Sequence, residues 1–289
     1  MDSLILDAVS VLSTAGWLFI VSAGLTLVFG AMRLINVAHG SFYMLGGFLM
    51  TSLAASSAGI RFWWALALAT LVVAVLGALL EVTILRRIYQ KDHLVQLVAT
   101  FAMMLIIADV AKTIWGSRAR TVDAPAAVDG TLTVGGASFP TYRLVIIAAA
   151  VLVAVALWVM LTKTALGWRT RAAVEDPELL SSSGTNLTLL RTGTFALGAA
   201  LAAFAGAVVS PQLAVAPGSD TSIIVAAFIV TVIGGLGSIP GAAIGALVIG
   251  LAQTIGTSVA PSWAATSIYL AMILVLAVRP SGLLGVAER

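Results

Sequence analysis

The chain contains no cysteine, which excludes a disulfide framework and any thiolate-held metal. Its 2 histidines, His39 and His93, lie in separate segments, so a zinc-type cluster has no ligand set. None of Lys91, Lys112 and Lys163 follows a glycine. The phosphate loop G-x-x-x-x-G-K-[ST] is therefore missing, and ATP binding by that route is excluded. No catalytic constellation stands out. Charged residues make up 9% of the chain, well below the roughly one quarter usual in globular proteins. The 15 basic residues, the net charge of +3 and the pI of 9.6 give no dense patch of the kind that neutralises phosphates.

Apolar residues fill that space. With 61% hydrophobic residues and a mean hydropathy of +1.11, the 289 residues read as one all-α polytopic membrane domain, 1–289. The start, MDSLILDAVS, carries Asp2 and Asp7 and lacks the basic n-region and cleavage site of a signal peptide, so it reads as part of the first span. Measured against the ~20 residues needed for a crossing, apolar runs fall near 8–30, 40–58, 62–85, 94–115, 143–162, 188–209, 222–236, 240–257 and 264–279. That gives about nine spans, with eight to ten as the range. The stretch 222–257 is rich in glycine and holds Pro240, which predicts broken or re-entrant helices. Irregular backbone survives at membrane depth only where protein buries it or a cavity borders it.

Orientation follows the basic residues. An outside N-terminus and a cytoplasmic C-terminus put Arg33, Arg86, Arg87, Lys91, Lys163, Arg169, Arg171, Arg191, Arg279 and Arg289 inside, with Arg61, Arg118, Arg120 and Arg143 outside. Residues 116–142 then form an extracytoplasmic loop, in which TVDAPAAVDGTLTVGGASFP has the turn signals of a small β-hairpin. Residues 163–187 form the longest cytoplasmic loop. There Asp176 suits an N-cap, Pro177 the first helical position, Glu178 the positive end of the helix dipole and Gly184 a left-handed stop. Six or seven residues make a poor helix in water. The segment is either a docked helix or a connector whose acids balance Arg169 and Arg171.

Other polar positions have plainer readings. Asp109 and Lys112, at i and i+3, suit a self-neutralising pair near the interface marked by Trp115, with an ion relay as the rival. Glu81 and Arg86 read as a structural pair. Ala202 with Gly206 and Gly241 with Gly245 have the four-residue spacing that lets helices approach, within the subunit or between subunits. Met44, Met103 and Met104 read as core filler.

Four pieces stand in order along the chain: Asn36-x-Ala38-His39-Gly40 with Tyr43-Met44-Leu45-Gly46; Arg171-Ala172 with Glu175-Asp176 and Gly184-x-Asn186; Gly234-Gly235-x-Gly237-Ser238-Ile239-Pro240-Gly241; and Pro280-x-Gly282-Leu283-Leu284-Gly285. Together they resemble the LivH-type permease of branched-chain amino acid ABC importers, from about Gly24 to Arg289. The resemblance implies a transmembrane subunit in a bacterial-type inner (plasma) membrane. It would pair with a second homologous permease and two cytoplasmic ATPase subunits, and a periplasmic or extracellular solute-binding protein would deliver the solute. It implies no enzyme activity and no cofactor in this chain, ATP being bound by the partners. In that family the short inner helix is the coupling helix, which assigns ATPase coupling to Arg171, Glu175, Asp176, Pro177, Glu178, Gly184 and Asn186. Leu180 stands where the family has a small alanine, Ser182 and Ser183 replace an apolar pair, and Thr185 replaces isoleucine; these departures bear on which ATPase is accepted.

The stretch RLINVAHGSFYMLGG predicts a helix interrupted near Asn36. Arg33, Asn36, Gly40 and Tyr43 would share a stripe beside His39 facing the translocation path, with Arg33 at its cytoplasmic mouth; the plain alternative is that Asn36 and His39 bond neighbouring helices. The expected solute is a small amphipathic one, branched-chain or related amino acids first. Liv-like permeases are also associated with urea, short amides and aromatic acids. The rival functions are an ion- or proton-coupled secondary transporter using Asp109 and Lys112, and a purely structural membrane subunit. Because the chain has no cysteine, single cysteines test the topology directly. One at Ser182 is expected to stay unlabelled by an impermeant thiol reagent in intact cells, while one at Gly130 labels; the opposite pattern would invert the orientation.

Overall fold

The computed structural model describes residues 2–55, 61–134, 136–259 and 261–285. Among the described residues eleven α-helices follow in chain order: α1 (Asp2–Met32), α2 (His39–Ala54), α3 (Phe62–Thr83), α4 (His93–Trp115), α5 (Tyr142–Lys163), α6 (Ala165–Glu175), α7 (Pro177–Ser182), α8 (Leu187–Val209), α9 (Ser219–Gly234), α10 (Ile239–Val259) and α11 (Ala264–Val278). Between α4 and α5 lies the expected antiparallel hairpin, β1 (Thr131–Val134) with β2 (Ala137–Pro140), Thr131 facing Pro140. Each apolar run read from the sequence carries a helix, and among the described residues 7 helical segments are long and apolar enough to cross a membrane. The apolar helices outside these segments, α2 and α9, have 16 residues each. At ~1.5 Å per residue they reach about 24 Å, less than the ~30 Å hydrocarbon core.

These short helices begin in the middle of the bundle. His39 Nε2 donates to the carbonyl of Val21 at 2.9 Å, which sets the start of α2 level with the middle of α1, and the Trp17 and Tyr43 rings meet at 6.1 Å. Hence α2 runs back antiparallel to α1. Residues 33–38 make the return without helical structure, beginning at Arg33 with φ +51°. A second non-helical link, 210–218, leads from α8 into α9. Ser41 in the first turn of α2 donates to Asp220 in the first turn of α9 at 3.3 Å, while Thr26 and Thr231 meet at 3.3 Å. From a shared starting level, α9 therefore runs opposite to α2. The arrangement is reciprocal: α1 packs on α10, α3 on α8 and α2 on α9. The two links also share a sequence signature, Val37-Ala38-His39-Gly40-Ser41 and Val215-Ala216-Pro217-Gly218-Ser219.

Small residues set the spacing. A Cβ at Gly46 would overlap the backbone of Ala203, and one at Gly206 the carbonyl of Tyr43, so α2 and α8 touch along their backbones. Gly241 meets Gly234, and Gly245 meets the Val230 carbonyl, across α9 and α10. Ala202 is buried as well. The four-residue patterns thus serve packing within the subunit. Met44, Met103 and Met104 lie in the main core. At the end of the chain, the N–H groups of Leu283 and Leu284 donate to the carbonyls of Ile233 and Gly234 at 2.8 and 2.9 Å, satisfying acceptors that the last turn of α9 leaves open. Two of the motif pieces, 234–241 and 280–285, therefore form one cap.

Gly206→Val is expected to lower the unfolding midpoint of the detergent-purified chain, the scale of overpacking being ~1–3 kcal/mol. Gly193→Ala, on the same helix with nothing within 4 Å of its Cβ position, should be neutral or raise stability by about 0.5–1 kcal/mol. A thermal unfolding series on the two variants checks both.

Candidate translocation and coupling site

The link 33–38 decides what RLINVAHGSFYMLGG can present. Because helix is absent from Arg33 to Ala38, the single helical stripe expected through Arg33, Asn36, Gly40 and Tyr43 does not form; Arg33 and Asn36 sit on the link, Gly40 and Tyr43 on α2. Arg33 is exposed beyond the end of α1. Asn36 is 1% exposed, and both atoms of its amide lack a hydrogen-bond partner. His39 is fully buried, with Nε2 on Val21 and Nδ1 unpartnered. Gly40 lies against the Asp220 backbone, where a side chain would collide. Tyr43 is buried beside Trp17. Ser22, next to Val21, also has an unpartnered buried hydroxyl.

The levels around Val21 and His39 thus form a polar layer at mid-depth; among the described residues the other buried side-chain atom without a partner is Gln212 Nε2, at the hairpin end. Asp220 belongs to the layer, 1% exposed and held by Ser41. Sequence reading missed Asp220 because it is separated from Ser41 by 179 residues; the repeated Val-Ala-x-Gly-Ser was the available signal. At the hairpin end, a cavity of about 840 Å³ opens above Trp17, bordered by Asp7, Ser13, Arg143, Gln212 and Gln253. Trp17, Tyr43, His39 and Asn36 follow one another from its floor toward the middle of the bundle.

The opposite end of the bundle carries the capped segment. Asp176 accepts from the Leu179 N–H at 2.9 Å, Gly184 takes φ +83°, and Asn186 caps α8 by accepting from Leu189 N–H at 3.0 Å. The side chains of Glu175, Pro177 and Glu178 lie outside the described residues. Leu180 is buried with Ala173 of α6 and Leu190 of α8 in a small separate cluster, so its side chain pins α7 to its neighbours. Leu179 remains 69% exposed. Preceding α7 is α6, a helix within the segment 163–187 that the sequence predicts as loop; its buried Gly167, Thr170 and Ala173 recur at three-residue spacing, a faint helical signal. Arg171 donates from α6 to the Leu161 carbonyl at 2.9 Å, tying α6 to the end of α5.

Close by, Glu81 is fully buried and paired with Arg86 at 3.2 Å, as expected. Thr192 and Tyr89 also donate to it, at 2.6 and 2.9 Å. Burial, then the Glu81 carboxylate, pushes the Tyr89 phenol well above its ordinary range. Asp109 and Lys112 do not pair. Both are exposed on α4, and the salt bridge found among the described residues is that of Glu81 with Arg86; outward-facing groups gain little from closing across solvent or headgroups.

Crossing helices, two half-helices that meet head to head at mid-depth, and a polar layer at their junction define a membrane permease. The chain belongs to the family described as branched-chain amino acid transport system / permease component, whose model matches residues 8–278. It is 31% identical to the high-affinity branched-chain amino acid transport system permease protein LivH of Escherichia coli K12, over 93% of this chain and 91% of that protein. Identity is 28% to BraD of Pseudomonas aeruginosa, a permease protein of the same description, over 93% and 92%, and 27% to a probable LivH of Methanocaldococcus jannaschii, over 93% and 89%. No solved structure matches the chain. The protein is therefore the permease subunit of an importer system and a multi-pass membrane protein.

An unsatisfied buried amide costs about 1–3 kcal/mol. Asn36→Ala is expected to leave the unfolding midpoint unchanged or higher while lowering transport. A drop in midpoint with normal transport would mark Asn36 as packing glue.

Proposed function

We propose that this permease moves a branched-chain or related amino acid, working with a second homologous permease, two cytoplasmic ATPase subunits and an extracytoplasmic solute-binding protein. The observation that carries the reading is the mid-depth junction of α2 and α9, where unpartnered polar atoms lie beneath a polar cavity. Half-helices that start inside a membrane offer backbone donors and polar side chains to a passing solute. Asn36, His39 and Tyr43 would border the path, Gly40 would keep α2 close to α9, and Arg33 would stand at the cytoplasmic mouth. A zwitterion suits such a site, since it needs polar partners of both kinds but no strong fixed countercharge. The relatives' names favour branched-chain amino acids over urea, amides or aromatic acids.

In this reading the N-terminus is outside, the C-terminus is cytoplasmic, 116–142 face the binding protein and 163–187 face the ATPases of an inner-membrane complex. The exposed Leu179 beside the buried Leu180 gives α7 an apolar edge for an ATPase groove, on a helix held in shape by Asp176 and Gly184. The ion-coupled alternative loses support because Asp109 and Lys112 face outward on α4 rather than toward the polar layer.

Transport by the reconstituted complex should stop when ATP is withdrawn with ion gradients intact. In the Asp176→Ala, Gly184→Val double variant, loss of the cap costs ~1 kcal/mol of local helix stability and the left-handed position resists valine by ~1 kcal/mol or more. Assembly is expected to survive while uptake and solute-stimulated ATP hydrolysis fail. Normal values for both would remove the coupling role.

A further inference from the structure

The Glu81 cluster goes beyond a surface ion pair. Its carboxylate, fully buried, receives donors from separate stretches of chain: Thr192 on α8, Tyr89 in the turn that leads to α4, and Arg86 just past α3. Arg86 also donates to the Thr192 hydroxyl at 3.0 Å. The Arg191 guanidinium sits 5.4 Å from the Tyr89 ring centre, and Gln96 of α4 donates to the carbonyls of Tyr89 and Lys91 at 3.1 and 2.9 Å. One buried carboxylate near the end of α3 therefore holds the first two turns of α8 and the turn at Tyr89, and Gln96 ties that turn to the start of α4. Those turns of α8 follow directly from Asn186, the cap that separates α8 from α7. Beyond them, α8 packs on both α3 and the half-helix α2.

Thr192 has two acceptors within reach. Its hydroxyl lies 2.6 Å from Glu81 Oε2 and 2.9 Å from the carbonyl of Thr188 on its own helix. A hydroxyl holds a single proton, so it satisfies one acceptor at a time. Donating to Glu81 locks α8 to α3, and turning to Thr188 releases α8 without stranding the proton. A group with two discrete partners is the kind of element through which motion at one site biases another.

We propose that Glu81 is a positioning residue for energy coupling: through Thr192, Tyr89 and Arg86 it passes displacement of α7 and the start of α8 to α3 and α4, and the Thr192 hydroxyl is the releasable contact. The inference rests on the coupling role given to α7. Its test uses the complete transporter with its ATPase subunits in vesicles, comparing Glu81→Gln, Thr192→Val and Thr192→Ser for retained ATPase subunits, unfolding midpoint and solute moved per ATP hydrolysed. Thr192→Val should keep the ATPase subunits and hydrolyse ATP, yet move about tenfold less solute per ATP, the scale of one hydrogen bond to a charged group. Thr192→Ser should restore the ratio. Glu81→Gln should lower it in the same way, and where that variant fails to assemble the threonine pair carries the test. An unchanged ratio in Thr192→Val, whatever its unfolding midpoint, reduces Glu81 to a structural anchor and overturns the proposal. If Thr192→Val uncouples while the Asp176, Gly184 double variant does not, the α7 reading fails and the Glu81 contact stands by itself.

Discussion

Inside a bilayer no water is available to backbone N–H and C=O groups, and nearly every feature of this permease follows from that constraint. A helix satisfies its own backbone, so most of the apolar chain takes the form of long helices. The links 33–38 and 210–218 are not helical, and some of their backbone groups find partners on other parts of the chain. The Thr100 hydroxyl reaches the Ile35 carbonyl at 3.3 Å, Arg33 N–H keeps a helical bond to Phe29, and Val215 exchanges backbone bonds with Arg120 at 2.8 and 2.9 Å. Breaking the helices there places the starts of α2 and α9 at mid-depth, where neither would sit if the chain simply crossed and returned.

At the polar layer of that junction the hydrogen-bond accounting is left open. Asn36, His39 and Ser22 hold atoms without partners, although a packed interior normally pairs such groups. Leaving them open lowers stability, and in the proposed reading it keeps donors and acceptors free for a solute or its water. Close backbone packing through Gly46, Gly206, Gly241 and Gly245 keeps the layer rigid, since helices that touch along their main chains have little room to shift sideways.

At the other end the problem is opposite. A six-residue helix has too few internal bonds to persist alone, and its shape depends on Asp176, the left-handed Gly184 and the burial of Leu180 against α6 and α8. The buried Glu81 then fastens α8 to α3. A surface ion pair would contribute little, but a buried carboxylate with several donors resists any motion that leaves it unpaired. In the proposed coupling role, rigidity of this sort would let a small displacement at α7 travel rather than dissipate.

The local properties were legible in the sequence. Apolar runs located the helices, Gly-Gly and Asp-Gly marked the hairpin, and Asp176-Pro177 with Gly184 marked both ends of α7, because hydropathy, turn chemistry and capping act over a few residues. The interruption near Asn36 was also visible, but the stripe drawn through it was not real, since helical spacing has no meaning across a link without helix. Asp220 beside Ser41, Thr192 and Tyr89 on Glu81, and Leu283 and Leu284 on the end of α9 could not be read in advance. Each joins parts of the chain whose relation is fixed by how helices pack in three dimensions, and a buried carboxylate acquires its partners from that packing, whereas a cap or a turn finds them next door.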